Sequence, residues 1–203
     1  MKKVSKLVLS AAVVGVFAGC GGDGDGIDLG VPSIVACFSA PKTVEFKLKW
    51  TNIPVGQAAA NKRSAGPMSY NNQALTGQIS FFPNGNTEST YWKVTSSGVE
   101  DVAMVSYRGT DTLNMVLPAD MRPNQTIVGT SRNGNDTYTY SNTLVNFESL
   151  TLAEKTFPNT CHIRVENSRE TGFTGDHWYA PGYGIVKQIT NPGGITAQYD
   201  GDL

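Results

Sequence analysis

The feature that most constrains this chain is the eight-residue run Thr43 to Trp50. In it Val44, Phe46, Leu48 and Trp50 alternate with Thr43, Glu45, Lys47 and Lys49. A strict period of two sends one set of side chains to a core and the other to water, which is the pattern of a half-buried strand. Less regular runs of the same kind occupy Gly77–Phe82, Thr90–Thr95, Val102–Arg108, Thr112–Leu117, Thr126–Thr130, Thr137–Tyr140, Leu144–Leu152, Thr160–Glu166, Trp178–Thr190 and Thr196–Tyr199. Turn clusters separate them, among them Pro83-Asn84-Gly85-Asn86, Ser96-Ser97-Gly98, Asn133-Gly134-Asn135-Asp136 and Asn191-Pro192-Gly193-Gly194. Turns spaced by about 8–12 residues mark an antiparallel all-β domain. The expected fold is a single antiparallel, strongly curved sheet or open barrel with little helix, and a two-sheet β-sandwich is the alternative. The period-two pattern starts at Val35. Pro54 to Asn72 shows no sustained alternation and reads as a long mobile surface loop, or alternatively a binding loop.

Composition narrows the function classes. Hydrophobic residues make up 39% of the 203 residues and charged residues only 16%, against a usual charged share of about a quarter. Sixteen basic and seventeen acidic residues leave a formal charge of −1, which argues against a nucleic-acid partner, because such proteins carry a basic excess. The sequence holds no Gly-x-Ser-x-Gly elbow, phosphate-cradling Gly-rich loop, His-Glu-x-x-His or dinucleotide fingerprint. His177 beside Asp176 is the one candidate for a nucleophile-activating pair. Its plainer reading is a loop imidazole next to its sequence neighbour. Asp23, Asp25 and Asp28 fall short of a calcium-loop pattern, since Ile27 and Asp28 occupy its fifth and sixth positions. The expectation is a protein that is not an enzyme and has no catalytic residue, cofactor or metal.

The N-terminus reads as an address. Lys2, Lys3 and Lys6 precede an apolar run from Leu7 to Phe17, which as a helix spans roughly half of a bilayer core of about 30 Å. That length suits a signal-peptide core and not a membrane span. Phe17-Ala18-Gly19-Cys20 resembles the lipobox of bacterial lipoprotein precursors, with Phe17 departing from the usual Leu. The resemblance implies cleavage before Cys20, a diacylglycerol on its thiol, acylation of the new amine (palmitate is a typical chain) and anchoring in the bilayer. Gly21, where an Asp would imply inner-membrane retention, implies sorting to the outer membrane, on its periplasmic face. The competing reading is an ordinary secretory peptide with Cys20 in a disulfide. The division is then signal peptide 1–19, Gly/Asp-rich lipidated tether 20–32, and β-domain 33–203.

With Cys20 lipidated, Cys37 and Cys161 remain as an even pair in an oxidising compartment, which favours a disulfide. Two buried free thiols, or a metal pair completed by His162 or His177, are the alternatives. Cys161 and His162 are strand neighbours facing opposite ways and cannot easily share a metal.

The most distinctive segment is Trp178-Tyr179-Ala180-Pro181-Gly182-Tyr183-Gly184-Ile185-Val186-Lys187. It resembles a W-Y-A-P-G-x-G-x-V-K motif near the C-terminus of small bacterial envelope lipoproteins, in which a Cys-containing strand precedes it. The resemblance implies a curved antiparallel sheet related to open barrels that handle lipoproteins or lipids, and it carries over no catalytic residue. Trp178, Tyr179, Pro181, Gly182, Tyr183 and Gly184 are read as a ligand or turn motif, with Ala180-Pro181-Gly182 breaking a strand that resumes at Ile185-Val186. Two functions follow as expectations. One is an outer-membrane lipoprotein whose non-catalytic β-domain serves a structural or protein-interaction role with another envelope protein. The other is a carrier or chaperone for a lipid or hydrophobic ligand.

Overall fold

The computed structural model describes residues 32–169 and 174–203. The lipobox with Cys20 and nearly all of the proposed tether lie outside the described residues. Within them the chain is all-β, as the alternation predicts. The strands are β1 (Val44–Thr51), β2 (Lys62–Tyr70), β3 (Gln73–Phe81), β4 (Thr87–Thr95), β5 (Gly98–Ser106) and β6 (Gly109–Pro118). They continue as β7 (Thr126–Asn133), β8 (Asp136–Leu152), β9 (Lys155–Asn167), β10 (Thr174–Ala180), β11 (Gly184–Asn191) and β12 (Ile195–Asp202). Each pairs antiparallel with its sequence neighbours, and β1 pairs with β12, so the sheet closes into a barrel.

β1 behaves as its alternation requires. Phe46 and Leu48 are buried, Val44 and Trp50 are half-buried, and Glu45, Lys47 and Lys49 are exposed. The outer wall is polar elsewhere too, with Lys93, Glu100, Arg132, Arg164 and Glu166 all exposed. A barrel that spans a membrane needs an apolar outer band, and a Lys or Arg at mid-depth there costs ≈ 2–4 kcal/mol. This wall suits water.

Three sequence expectations need correction. The stretch 54–72 is not one long loop, because β2 runs from Lys62 to Tyr70 and only 52–61 is irregular. Alternation is hidden there because the inward position 63 holds an arginine. Pro67 is tolerated because β1 pairs with β2 only as far as Ala65, leaving that side of β2 unpaired beyond it. Next, Val35 belongs to a helix, α1 (Ile34–Phe38), and not to the start of a period-two pattern. Ser33 caps this helix through its Oγ, which accepts from the Ala36 N–H at 3.2 Å. Ile34, Cys37 and Phe38, at spacings of three and four, are all buried. Last, the break expected at Ala180-Pro181-Gly182 is present, but it is a full reversal, so Trp178 to Thr190 is two strands and not one interrupted run. Ala180 to Gly184 reverses the chain into a hairpin between β10 and β11.

The helix closes one end of the barrel. It touches β4 and β5 on one wall and β9 and β10 on the facing wall, and the expected Cys37–Cys161 disulfide fastens it to β9 across 124 residues. β8 and β9 form the longest hairpin, with irregularities at Leu144/Asn146 and Glu148/Leu150. The first lets Phe147 lie opposite Cys161, keeping Cys161 on the inward face.

Two buried clusters fill this closed end. One joins α1 to Trp92, Leu117, Leu144, Ile163, Tyr179 and Ile185. The other joins Phe46, Leu48, Leu152, Phe157, Trp178, Val186 and Tyr199. The tip of the β10–β11 hairpin supplies both, Tyr179 and Ile185 to the first and Trp178 and Val186 to the second.

Truncating Leu48 to Ala should destabilise the domain by roughly 2–5 kcal/mol, whereas Lys47→Ala should cost less than about 0.5 kcal/mol. Urea melts of both variants check this, and equal losses would contradict the inward and outward assignment.

Candidate functional site, a polar lumen open at one end

Wall side chains can fill a barrel of about eight strands, but wider barrels leave interior space. α1 and the β10–β11 tip occupy one end here, and the space that remains is a cavity of ≈ 940 Å³. It reaches the surface at the opposite end, among loop 52–61, the turns after β3, β5 and β7, and the start of β12. Gln57, Ala58 and Ala59 of the loop line the mouth, together with Tyr107, Arg108 and Ile195.

The inward positions of the strands carry polar groups. Arg63 on β2 is 4% exposed. Its Nε donates to Ser80 Oγ at 3.2 Å, Nη1 donates to the Ile185 carbonyl at 3.0 Å, and Nη2 donates to Gln188 Oε1. Burial lowers its pKa to about 10, so it stays charged at neutral pH. These bonds tie β2 to β11 across the interior. Gln78 adds a second tie, with its Oε1 accepting from the Ile185 N–H at 2.7 Å. Gly184 makes that approach feasible. Its φ is +67°, and a Cβ there would lie 2.6 Å from Gln78 Oε1.

Carboxylates share the lumen with this arginine. Burial raises the pKa of Glu88, against the pull of Arg63 and Arg108. Asp101 on β5 is 6% exposed and accepts from the Tyr140 hydroxyl at 3.1 Å. Burial pushes its pKa up to about 7, although that hydrogen bond works in the other direction. Asp111 near the mouth accepts from Asn133 Nδ2 at 3.0 Å and lies 3.9 Å from Arg169 Nη1. Burial also raises the pKa of Tyr140 and of Tyr179, with the nearby Asp101 charge adding to it.

The pair Asp176–His177 comes apart in the fold. His177 is a strand residue in β10 whose imidazole lies against the lumen, and burial, aided by the Arg63 charge, lowers its pKa to about 4. Its Nε2 sits 3.1 Å from where a Cβ on Gly175 would be, so Gly175 makes room for the ring. Asp176 faces outward instead. There His162 Nε2 lies 2.8 Å from Asp176 Oδ1, and Arg164 Nε donates to the same oxygen at 3.2 Å. His162 stacks on Trp178 with ring centroids 4.2 Å apart, and Trp178 Nε1 donates to Glu148 at 2.6 Å.

The W-Y-A-P-G motif acts chiefly in packing. Tyr179 and Ile185 are its members that line the lumen, with Tyr179 stacked on Phe38 at 4.2 Å and Trp92 edge-on to it at 6.0 Å. Pro181 and Gly182 form the turn, and the Gly182 N–H donates to the Ser39 carbonyl at 2.8 Å. Tyr183 packs with Phe46, Phe157 and Tyr199, and its hydroxyl receives a hydrogen bond from Lys155, which also reaches Asp202 at 2.7 Å. Sequence reasoning missed Arg63, Gln78, Glu88, Asp101 and Asn142. The only available signal was indirect, since a polar residue at an inward strand position requires a polar interior.

Among the described residues no cluster of three or more His, Cys, Asp or Glu is placed to hold a metal. Compared with protein-family models, with curated proteins and with solved structures, the chain matches none of them.

Asp101 and His177 should give opposing pH dependences. Unfolded, an Asp titrates near 3.9 and a His near 6.5. From about pH 4 to 6.5 the unfolded chain holds the His177 proton that the folded protein lacks, so this group raises stability as pH rises. From about pH 4 to 7 the folded protein holds the Asp101 proton that the unfolded chain lacks, so this group lowers stability as pH rises. Glu88 acts in the same sense as Asp101. Relative to wild type, Asp101→Asn should tilt the stability profile upward across pH 4–7, by a few kcal/mol at most, and His177→Gln should tilt it downward. Urea melts across that range test the assignment, and parallel profiles in the two variants would refute it.

Proposed function

We propose that this chain is a lipid-anchored protein of the bacterial outer membrane whose barrel is a non-catalytic vessel for a small ligand. The observation that carries the reading is the ≈ 940 Å³ cavity open at one end, within the range of about 300–1,000 Å³ usual for small-molecule sites. A carrier needs an accessible interior of this size, and a scaffold has no use for one. The cavity therefore favours the carrier over the purely structural reading.

The lining refines the ligand. Trp50, Trp92, Tyr140, Tyr179 and Val165 alternate with Arg63, Glu88, Asp101 and Asn142. An acyl chain would strip water from this polar wall and return no hydrogen bond, at a cost of roughly 1–3 kcal/mol for each group left unpaired. The site suits an amphiphilic or polar molecule better than a bare hydrocarbon. Binding without chemistry is supported by the separation of Asp176 from His177 on opposite faces of β10.

Anchoring rests on the lipobox resemblance at Cys20. Two or three acyl chains hold a protein to a bilayer firmly where one does not. The polar outer wall agrees with a domain held at the membrane and not through it.

Native mass spectrometry of the protein extracted from its envelope should show a stoichiometric small molecule that departs on unfolding. A barrel that carries nothing in this state, and takes up nothing from an envelope extract, would sink the vessel reading. Separately, Cys20→Ser should abolish metabolic labelling with palmitate and release the protein from the membrane fraction. Persistent labelling would sink the anchor.

A further inference from the structure

Glu88, Asp101 and Asp111 all line the lumen, and two of them have cations at hand. Glu88 lies in the fields of Arg63 and Arg108, and Asp111 Oδ1 lies 3.9 Å from Arg169 Nη1. Asp101 differs. Among the described residues it makes no ion pair, and its one hydrogen bond is accepted at Oδ2, from the Tyr140 hydroxyl at 3.1 Å. Oδ1 has no partner. It is also not sealed off, because the unpartnered atoms without accessible surface are Asn142 Oδ1, Asn146 Oδ1 and His177 Nδ1. Asp101 is 6% exposed and faces inward, so the surface left to Oδ1 opens into the lumen.

The register sets this carboxylate on the floor of the cavity. Asp101 pairs with Trp92 on β4 and with Met115 on β6, and both belong to the cluster built around α1. The rings of Trp92, Tyr140 and Tyr179 line the cavity and belong to the same cluster. Arg63 does not answer the charge, since its nitrogens are engaged by Ser80, Ile185 and Gln188. Arg108 and Arg169 are exposed residues of the mouth. A desolvated carboxylate without a cation is unfavourable, and its raised pKa expresses that shortage. What would relieve it is a positive group that can reach the floor through the open end.

We infer that the floor of the lumen receives the ammonium group of a monocationic, partly apolar amine, which donates to Asp101 Oδ1 and lies against the rings of Trp92, Tyr140 and Tyr179. An ammonium satisfies the carboxylate by charge and by its N–H donors, and aromatic faces attract the same cation. The apolar remainder of the molecule runs up the lumen toward the mouth. The inference rests on the vessel reading above and narrows it to a ligand class.

The test uses the full protein extracted in a non-ionic detergent, at about pH 8, where Asp101 is ionised. It is titrated calorimetrically with 2-phenylethylamine and with 2-phenylethanol, which carries a neutral hydroxyl in place of the ammonium. The expected result is one-to-one binding of the amine, about ten-fold or more tighter than the alcohol, and loss of that preference in Asp101→Asn. Thermal melts report whether the variant folds, and the wild-type comparison stands without it. Alcohol binding as tight as amine binding would overturn the ligand class and leave the vessel. An amine preference that survives in folded Asp101→Asn would overturn the site. If neither probe binds, the molecule retained by the extracted protein decides. A cationic one upholds the site, an uncharged or anionic one overturns it and leaves the vessel, and an empty barrel overturns both.

Discussion

A twelve-stranded barrel encloses more space than its own inward side chains can fill, and the rest of this structure follows from how that excess is handled. Part of it is taken up by chain. α1 enters between facing walls, tied to β9 by the Cys37–Cys161 bridge, and the β10–β11 tip turns inward until Ile185 meets Gln78 and Arg63. What is not filled becomes the lumen. The ties from β2 and β3 to β11 hold the interior at fixed width, so the cavity belongs to the framework and not to a loop arrangement.

Legibility in the sequence tracks the polarity of the inward face. β1 could be read because its inward residues are Val44, Phe46, Leu48 and Trp50 and its outward ones are charged. β2 could not, because its inward set includes Arg63 and an outward-facing alternation is then lost. The same property hid the site. Asp101, Glu88 and Asn142 look like solvent-facing strand residues until closure of the sheet turns them inward. α1 was obscured for another reason, since a five-residue helix has little intrinsic stability and forms here through its cap, its bridge and its buried face. The β8–β9 turn carries no Asn or Gly signal. Ala153 and Glu154 both adopt positive φ, at 44° and 68°, as the two-residue hairpin turn closed by Leu152 and Lys155 requires.

The charges of the lumen contribute organisation more than net stability. Desolvating a guanidinium or a carboxylate costs several kcal/mol, and pairing it inside recovers about that much at best. Arg63 is retained where an apolar side chain could have packed. Its three donor nitrogens fix β2, β3 and β11 in one arrangement, which an apolar contact, lacking direction, would not do.

The direction of the chain at its described beginning gives the barrel a polarity. Residue 32 is exposed just ahead of α1, and α1 sits in the closed end, opposite the mouth. A tether running from Cys20 would therefore grip the barrel by its base. On the proposed lipid anchor, the domain would be a cup attached at its stopper, with its rim at the far end. Exchange of contents would then take place with solutes or partners arriving from solution, and the surface that bears the anchor would have no direct passage to the interior.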